Sequence, residues 1–352
     1  MYDAVSAING GYAPFAVQPS VPATGASLPA AASAPAYGVL RVLFSDRRAY
    51  YQDAYERCLE TIPAGAARDL SLALGADVAA GVVAPRAKRR PRDAAACVCP
   101  GHRAGHRDGH VSRRRSGPAH VGQHPAVRLA PPVALPPVAA AGPRQRGLCR
   151  RLQQSQCDGR RRRASRTRAQ FEVVRFHTEQ PPVYIRRNFG NFARATADAA
   201  DAARLMAMIY VSFADATDAC FETEHHCLTW RPLSALAAGR PRRQSRHRCR
   251  PGLRPSSPTP NHPEYPAAHS CTAGALGEVL YRYHGTDKVR YTFDSKVTGT
   301  TRTYTSTDAL AEESLWARIH GGMHFRYSAT AGALLGKQVA GWVIDHYFGR
   351  RK

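Results

Sequence analysis

The sequence lacks any uncharged apolar run long enough to cross a membrane, and its first residues lack the basic and apolar regions of a secretory signal. The nine cysteines show no spacing typical of a disulfide framework. These features predict a chain that is soluble as given and without a membrane span. Because residues 1–5 already have a helical pattern, the alternative that an export signal has been lost from the N-terminus is left open. The sequence does not predict the localisation or the oligomeric state.

Acidic and large apolar residues are almost missing from residues 86–169. This tract has 21 basic and three acidic residues, and no Glu, Ile, Phe, Tyr, Trp, Met or Asn. A second tract, residues 239–256, has seven basic and no acidic residues. The two tracts account for the formal net charge of +24. The charge therefore does not predict a specific nucleic-acid partner for the rest of the chain.

Two interpretations of these tracts stay open. A chain with so few large apolar side chains cannot offset the entropy of ordering, so residues 86–169 are predicted to be a disordered basic linker. Alternatively, the DNA is read out of frame there, because shifted GC-rich codons give mainly Arg, Ala, Pro and Gly. The abrupt change at both ends favours a frameshift, which resequencing of the locus would test.

Three short patterns are weaker candidates for metal or phosphate binding. A group resembling a zinc site consists of Cys97, Cys99, His102, His106 and His110, but the interleaved glycines disfavour a helix that would bring the histidines together. Arg160–Arg163 would contact phosphates without sequence specificity. His225 and His226, beside Glu224, are interpreted as an exposed helix end rather than as metal ligands.

Apolar periodicity outside the tracts predicts an all-α helical bundle with a small β-hairpin insertion. We predict an N-terminal helical part over residues 1–85 and a C-terminal helical catalytic domain over residues 170–352, interrupted at 239–256. The predicted helical stretches are 39–62, 67–83, 192–221, 270–283, 308–319 and 328–347, and the hairpin lies within 289–305. Ser270 is expected to cap the fourth of these helices.

Three segments carry the residues expected to do chemistry. Arg231-Pro232 follows the long helix, His269 opens another helix, and Arg318 is separated by five residues from His324 across Gly321-Gly322. Two arginines offer planar donors to a tetrahedral oxyanion, and the amides near Ala268 at a helix N-terminus add more. Of two histidines that flank such an anion, one can act as a nucleophile or ligand while the other transfers a proton.

These segments resemble the three motifs of the superfamily of type 2 phosphatidic acid phosphatases and vanadium-dependent haloperoxidases. The motifs are a lysine, six residues and Arg-Pro; a sequence close to Pro-Ser-Gly-His; and Ser-Arg, five residues and His. Here they become Arg231-Pro232, Pro266-Ala267-Ala268-His269, and Arg318 with His324. The segments around them are similar to the bacterial haloperoxidase-related branch, over roughly residues 1–85, 171–238 and 259–352.

The resemblance implies a role for each matched residue. His324 would be the axial vanadate ligand, and so the metal-binding residue, or the phosphorylated nucleophile of a phosphatase. His269 would be the general acid/base, and Arg231 and Arg318 would hold equatorial oxygens. Glu224 stands at the lysine position, Ala267 at the serine, and Ser328 where an aspartate would orient His324. A carboxylate at the lysine position is expected to repel an anion.

Three functions follow from the resemblance. The first is a vanadate-dependent haloperoxidase that oxidises halide with hydrogen peroxide. The second is a phosphatase that cleaves a phosphate monoester through a phosphohistidine, since phosphate and vanadate have the same shape and charge. The third is an inactive or frameshift-damaged family member, which Glu224 and the two basic tracts suggest.

Overall fold

The computed structural model describes residues 1–87, 166–179, 181–196, 198–234 and 259–351. Most of both basic tracts, with the cysteine–histidine group and Arg160–Arg163, lies outside these residues. In chain order the helices are α1 Tyr2–Asn9, α2 Leu28–Leu43, α3 Arg48–Glu60, α4 Ala66–Ala87, α5 Arg168–Phe176, α6 Pro181–Ala195, α7 Ala199–Cys227, α8 Ala268–His284, α9 Ala309–His320 and α10 Arg326–Tyr347. The strands β1 Tyr291–Ser295 and β2 Thr300–Tyr304 separate α8 from α9. The all-α architecture with one hairpin is thus confirmed.

The N-terminal compact unit is built mainly on α2 and α4. Small residues allow a close approach: an added Cβ at Gly75 would lie 2.4 Å from Cβ of Ala34, and one at Gly38 would lie 2.6 Å from that of Ala79. The core is correspondingly small and contains Ala4, Ala31, Leu74 and Val78. Packing in this unit therefore depends on small residues rather than on aromatic bulk.

One helix predicted in this unit is not continuous in the structure. Residues 39–62 do not form a single helix, because α2 ends at Leu43, a 3₁₀ turn covers Ser45–Arg47, and α3 begins at Arg48. Apolar residues expected in the core are exposed there: Tyr50 retains 69% of its surface. α3 has no buried residue, so packing does not enforce the helical period that the sequence suggested.

The C-terminal unit has a large aromatic and aliphatic core. α7, α8 and α10 pack together around it, and the hairpin adds Tyr291, Phe293 and Tyr304. β1 and β2 pair antiparallel and form the predicted hairpin, with Tyr291 opposite Tyr304. Fully buried aromatic side chains such as Phe189 and Phe293 each remove a large apolar area from water, so this unit carries most of the hydrophobic stabilisation.

α8 and α10 approach each other backbone to backbone. An added Cβ at Gly336 would lie 1.8 Å from the carbonyl oxygen of Cys271, one at Gly274 2.2 Å from that of Ala333, and one at Gly332 2.6 Å from that of Ala267. No larger residue fits at these positions without moving a backbone. The amide of Ala267 also donates to the carbonyl of Ser328. The starts of both helices, and the residues just before them, are consequently held together.

Two further helix boundaries differ from prediction. The stretch 192–221 is divided, because α6 ends at Ala195 and α7 begins at Ala199, capped by the carboxylate of Asp198 on the amide of Ala200. α8 starts at Ala268, with Ala267 at the N-cap position. Ser270 is therefore inside the helix and is not its cap. In the described part of the chain, no helix combines the length and hydropathy needed to span a membrane.

Candidate active site

Arg231 lies just beyond the C-terminus of α7, where Leu228 adopts a left-handed conformation that ends the helix. Its guanidinium is almost fully buried, with the residue 5% exposed. Nε donates to the carbonyl of His262 at 3.0 Å, and Nη1 donates to the carbonyl of Met323 at 3.2 Å and to Nε2 of His324 at 2.6 Å. Burial lowers the pKa of Arg231, and the carboxylates of Glu224 and Glu264 act against that shift.

Arg318 is placed by the last turn of α9 and is 2% exposed. Its Nη2 donates to the carbonyl of His177 at 2.9 Å, while its Nε has no hydrogen-bond partner among the described residues. Burial, and next the charge of Arg231, lower the pKa of Arg318 to about 10. At neutral pH it remains a buried cation, and one of its donors is available to an anion.

His324 is buried between these arginines and the segment before α8. Its Nδ1 lies 2.9 Å from the carbonyl oxygen of Glu264, which can only accept, so Nδ1 carries the proton and Nε2 has the lone pair. Burial, followed by Arg231 and Arg318, lowers its pKa well below the ordinary value, which keeps the ring neutral. This tautomer suits Nε2 for ligation or nucleophilic attack.

Glu264 takes the orienting position that the sequence had assigned to residue 328. Its carboxyl lies 3.3 Å from Nδ1 of His324 and accepts from the amide of Phe325 at 2.8 Å. Ser328 instead donates to the carbonyl of Glu264, at 2.8 Å. Burial raises the pKa of Glu264 to about 8, so at neutral pH its carboxyl is largely uncharged.

Glu224 is fully buried in the last turn of α7. Its carboxylate lies 2.6 Å from Nδ1 of His262, and the guanidinium of Arg231 is 3.2 Å from the same ring nitrogen. The carboxylate at the lysine position thus acts on the arginine through an intervening histidine. The sequence offered no signal for this pair, because Glu224 and His262 are 38 residues apart.

His269 lies in the first turn of α8 and is partly exposed to a cleft. The amides of Ala268 and His269 have no acceptor within the helix, because they are its first two residues. Burial, and then Arg318 and three further charged or titratable neighbours, lower the pKa of His269 well below its usual range. A neutral imidazole of this kind can accept a proton at neutral pH.

A second histidine, which the sequence reading did not single out as functional, is adjacent. Nε2 of His177 lies 2.9 Å from the carboxylate of Glu313, which also accepts from Tyr304 and Arg302, each at 2.8 Å. The backbone carbonyl of His177 accepts a hydrogen bond from Nη2 of Arg318. His177 therefore links Arg318 to the hairpin, and a separation of 136 residues hid its partner from local pattern analysis.

The predicted site residues are brought together in the C-terminal unit by α7, α8, α9 and the turns that flank them. His225 and His226 are exposed at the end of α7. Within the described ranges, no group of three or more His, Cys, Asp or Glu side chains is arranged to hold a metal ion directly.

Residues 204–350 match the family model of the second helical-bundle domain of vanadium chloroperoxidase. This part of the chain is thus similar to that domain, in agreement with the resemblance of its motifs to the vanadium haloperoxidase and type 2 phosphatidic acid phosphatase superfamily. The match runs from Arg204 in α7 to the end of α10 and so includes all four predicted arginine and histidine positions. No curated protein matches the chain.

Solved structures show a similar fold over nearly the whole chain. A bacterial vanadium-dependent iodoperoxidase aligns with a TM-score of 0.66 at 18% identity, over 99% of this chain and 88% of its own. A holo-type bacterial vanadium-dependent chloroperoxidase aligns with a TM-score of 0.69 at 13% identity, over 98% and 88%. The apo-type chloroperoxidase gives 0.62 and 13%, over 98% and 89%. At these identities the likeness concerns the fold.

Proposed function

We propose that the chain is a vanadate-dependent haloperoxidase-like enzyme that oxidises halide with hydrogen peroxide. The observation that carries the proposal is the pair of buried arginines, Arg231 and Arg318, beside a neutral His324. Each lowers the pKa of His324, and Arg231 lowers that of Arg318, so the site concentrates positive charge that Glu224 offsets only on the Arg231 side. Two buried cations of this kind are stabilised by an oxyanion.

The residues fit such an anion. The unpartnered Nε of Arg318 and the free amides of Ala268 and His269 supply donors of the type that bind a tetrahedral oxyanion. Nε2 of His324 has the lone pair required of a ligand. In the structure this nitrogen accepts from Arg231, so Arg231 must release it when His324 binds a ligand.

When bound, vanadate would activate hydrogen peroxide for attack by halide. The chain's own contribution is then positional and acid–base. Arg231 and Arg318 would neutralise the oxygens, the carbonyl of Glu264 would hold the tautomer of His324, and His269 would accept and return a proton. Glu224 would weaken the anion's attraction to Arg231 through His262, which makes it the residue that limits affinity.

Two assays on the full chain test this function against its alternatives. Bromination of a phenol dye that requires peroxide, bromide and added vanadate, and that is lost in His324→Ala, is the expected result. Release of phosphate from a chromogenic ester, inhibited by vanadate, would instead support the phosphohistidine alternative. Inactivity in both assays, restored by Glu224→Lys, would identify the natural chain as an inactive member of the superfamily.

A further inference from the structure

Three buried side chains set the charge of the candidate site. Arg231 and Arg318 are 5% and 2% exposed, and Glu224 is fully buried. Burial, and then neighbouring charges that include both arginines, lower the pKa values of His269 and His324, so the two cations act on both site histidines. Solvent and salt screen buried charges far less than exposed ones. The balance between these cations and the carboxylate therefore influences which anion the site can hold.

The histidine beside Glu224 does not cancel its negative charge. Nδ1 of His262 lies 2.6 Å from the carboxylate of Glu224, which only accepts, so this nitrogen carries a proton. Nε2 of the same ring lies 3.4 Å from Nη2 of Arg231, which only donates, so Nε2 has the lone pair. Burial lowers the pKa of Arg231, and Glu224 is the foremost group that acts against this shift. A neutral ring thus links the carboxylate to the guanidinium, and the negative charge persists beside Arg231.

We propose that Glu224 makes the site selective for a singly charged tetrahedral oxyanion over a doubly charged one of the same shape. Two arginines and one carboxylate leave a single positive charge in excess. A monoanion neutralises that charge, whereas a dianion leaves one negative charge buried without a counter-ion, which is costly. The inference rests on the proposed function, in which an oxyanion occupies this site, and it assigns the charge of that oxyanion.

The size of the discrimination follows from the way in which Coulomb repulsion grows with the charge on the ligand. One imidazole ring and one guanidinium separate the carboxylate of Glu224 from Nε2 of His324. At an effective dielectric constant of about 20 and a separation of about 10 Å, a carboxylate weakens binding about tenfold for each unit of ligand charge. Glu224 should therefore weaken a monoanion about tenfold and a dianion about 100-fold. The same donors face both ions, so their charge separates them.

Perrhenate and molybdate test this selectivity without peroxide or halide, since both are tetrahedral and similar in size but carry one and two negative charges. Each is titrated by calorimetry at pH 7 into the full-length wild type, Glu224→Gln, the charge-retaining Glu224→Asp and the exposed control Glu222→Gln. Because the two ions differ in hydration, the quantity compared is the change in their affinity ratio between proteins. We expect Glu224→Gln to shift the ratio about tenfold toward molybdate, while Glu224→Asp and Glu222→Gln keep the ratio of the wild type.

A second variant keeps the test decisive if the melting temperature shows that Glu224→Gln does not fold. Arg318→Gln removes one cation and keeps Glu224, so the ratio should shift about tenfold toward perrhenate. An unchanged ratio in a folded variant of either kind, or a shift in Glu224→Asp equal to that in Glu224→Gln, would overturn the charge selectivity and leave the proposed function standing. Failure of the wild type to bind either ion at millimolar concentration would refute the oxyanion site itself and the proposed function with it.

Discussion

The two buried arginines of the candidate site, Arg231 and Arg318, have different surroundings. On one side, Arg231 donates to the carbonyls of His262 and Met323 and to Nε2 of His324, and its guanidinium lies 3.2 Å from Nδ1 of His262. The carboxyl groups of Glu224 and Glu264 are also near it. On the other side, Arg318 donates to the carbonyl of His177, and its Nε has no hydrogen-bond partner among the described residues. The hydrogen bonds of Arg231 thus fix the orientation of its side chain, whereas Arg318 keeps a positive charge and a hydrogen-bond donor that an anion can use.

This difference indicates how the site tolerates a carboxylate where the superfamily motif has a lysine. Glu224 offsets charge on the Arg231 side only, through His262. The affinity for an oxyanion should then depend mainly on Arg318 and on the amides at the start of α8. Four variants or conditions separate the contributions of the two sides.

The largest effect is expected from Arg318→Gln, which removes the cation with the unpartnered donor. Vanadate affinity should fall about 100-fold, because a buried charge and a hydrogen bond to it are lost together. Calorimetric titration of vanadate measures this, with the exposed Arg186→Gln as a matched control. If both variants bind vanadate as the wild type does, Arg318 is not part of an anion site.

Acid should destabilise the fold through the neutral histidines of both sides. The pKa values of His177, His269 and His324 are lowered by burial, so the unfolded chain binds more protons below about pH 6.5. The stability they contribute is complete above pH 6.5 and is lost as the pH falls through the folded-state values. Each unit of lowering is worth about 1.4 kcal/mol.

Urea denaturation at pH 7 and pH 5 measures this loss. His269→Gln should reduce the difference between the two pH values, whereas a change at the exposed His226 should not. An unchanged difference between the two pH values in His269→Gln would show that His269 is not held neutral in the fold.

Glu224→Gln should strengthen vanadate binding about tenfold, because it removes a negative charge that acts on Arg231 through His262. The exposed Glu222→Gln, in the same helical turn, should leave the affinity unchanged. Weaker binding in Glu224→Gln than in the wild type would mean that the carboxylate positions Arg231 more than it repels the anion.

The smallest effect is expected from Glu264→Gln. Because burial raises the pKa of Glu264 to about 8, its carboxyl is largely uncharged at pH 7, and vanadate affinity there should change less than about threefold. At pH 9 the wild type should bind less tightly than Glu264→Gln, since ionisation then adds a second negative charge. A large difference at pH 7 that vanishes at pH 9 would contradict the assignment.

The helices that carry the site could be predicted from the sequence where their buried apolar side chains recur at helical spacing. The sequence predicts one apolar stripe on this helix, of Leu205, Met206, Ile209, Phe213, Ala216 and Cys220; all are buried in α7 except Met206 and Phe213, which are partly buried. The breaks near Phe44 and Asp198 were missed because apolar residues at helical spacing resume beyond each of them. At Phe44 exposure removes the constraint, and at Asp198 a local cap competes with helix continuation.

The site was predictable where short motifs fix it and not where distant residues pair. Arg231, His269, Arg318 and His324 follow from motif spacing. The partners of Glu224 and of His177 depend on tertiary packing, and nothing within a local window indicates them. Glu264 could have been suspected from its place just before the second motif, since buried carboxyl groups often orient a histidine.

A crystal structure of the full chain with vanadate would test the central claim most directly. We predict vanadium bonded to Nε2 of His324, with Arg231 moved off that nitrogen and Nε of Arg318 donating to a vanadate oxygen. Vanadate bound elsewhere, or the contact between Arg231 and His324 unchanged at saturating vanadate, would contradict the assignment of these residues as an oxyanion site.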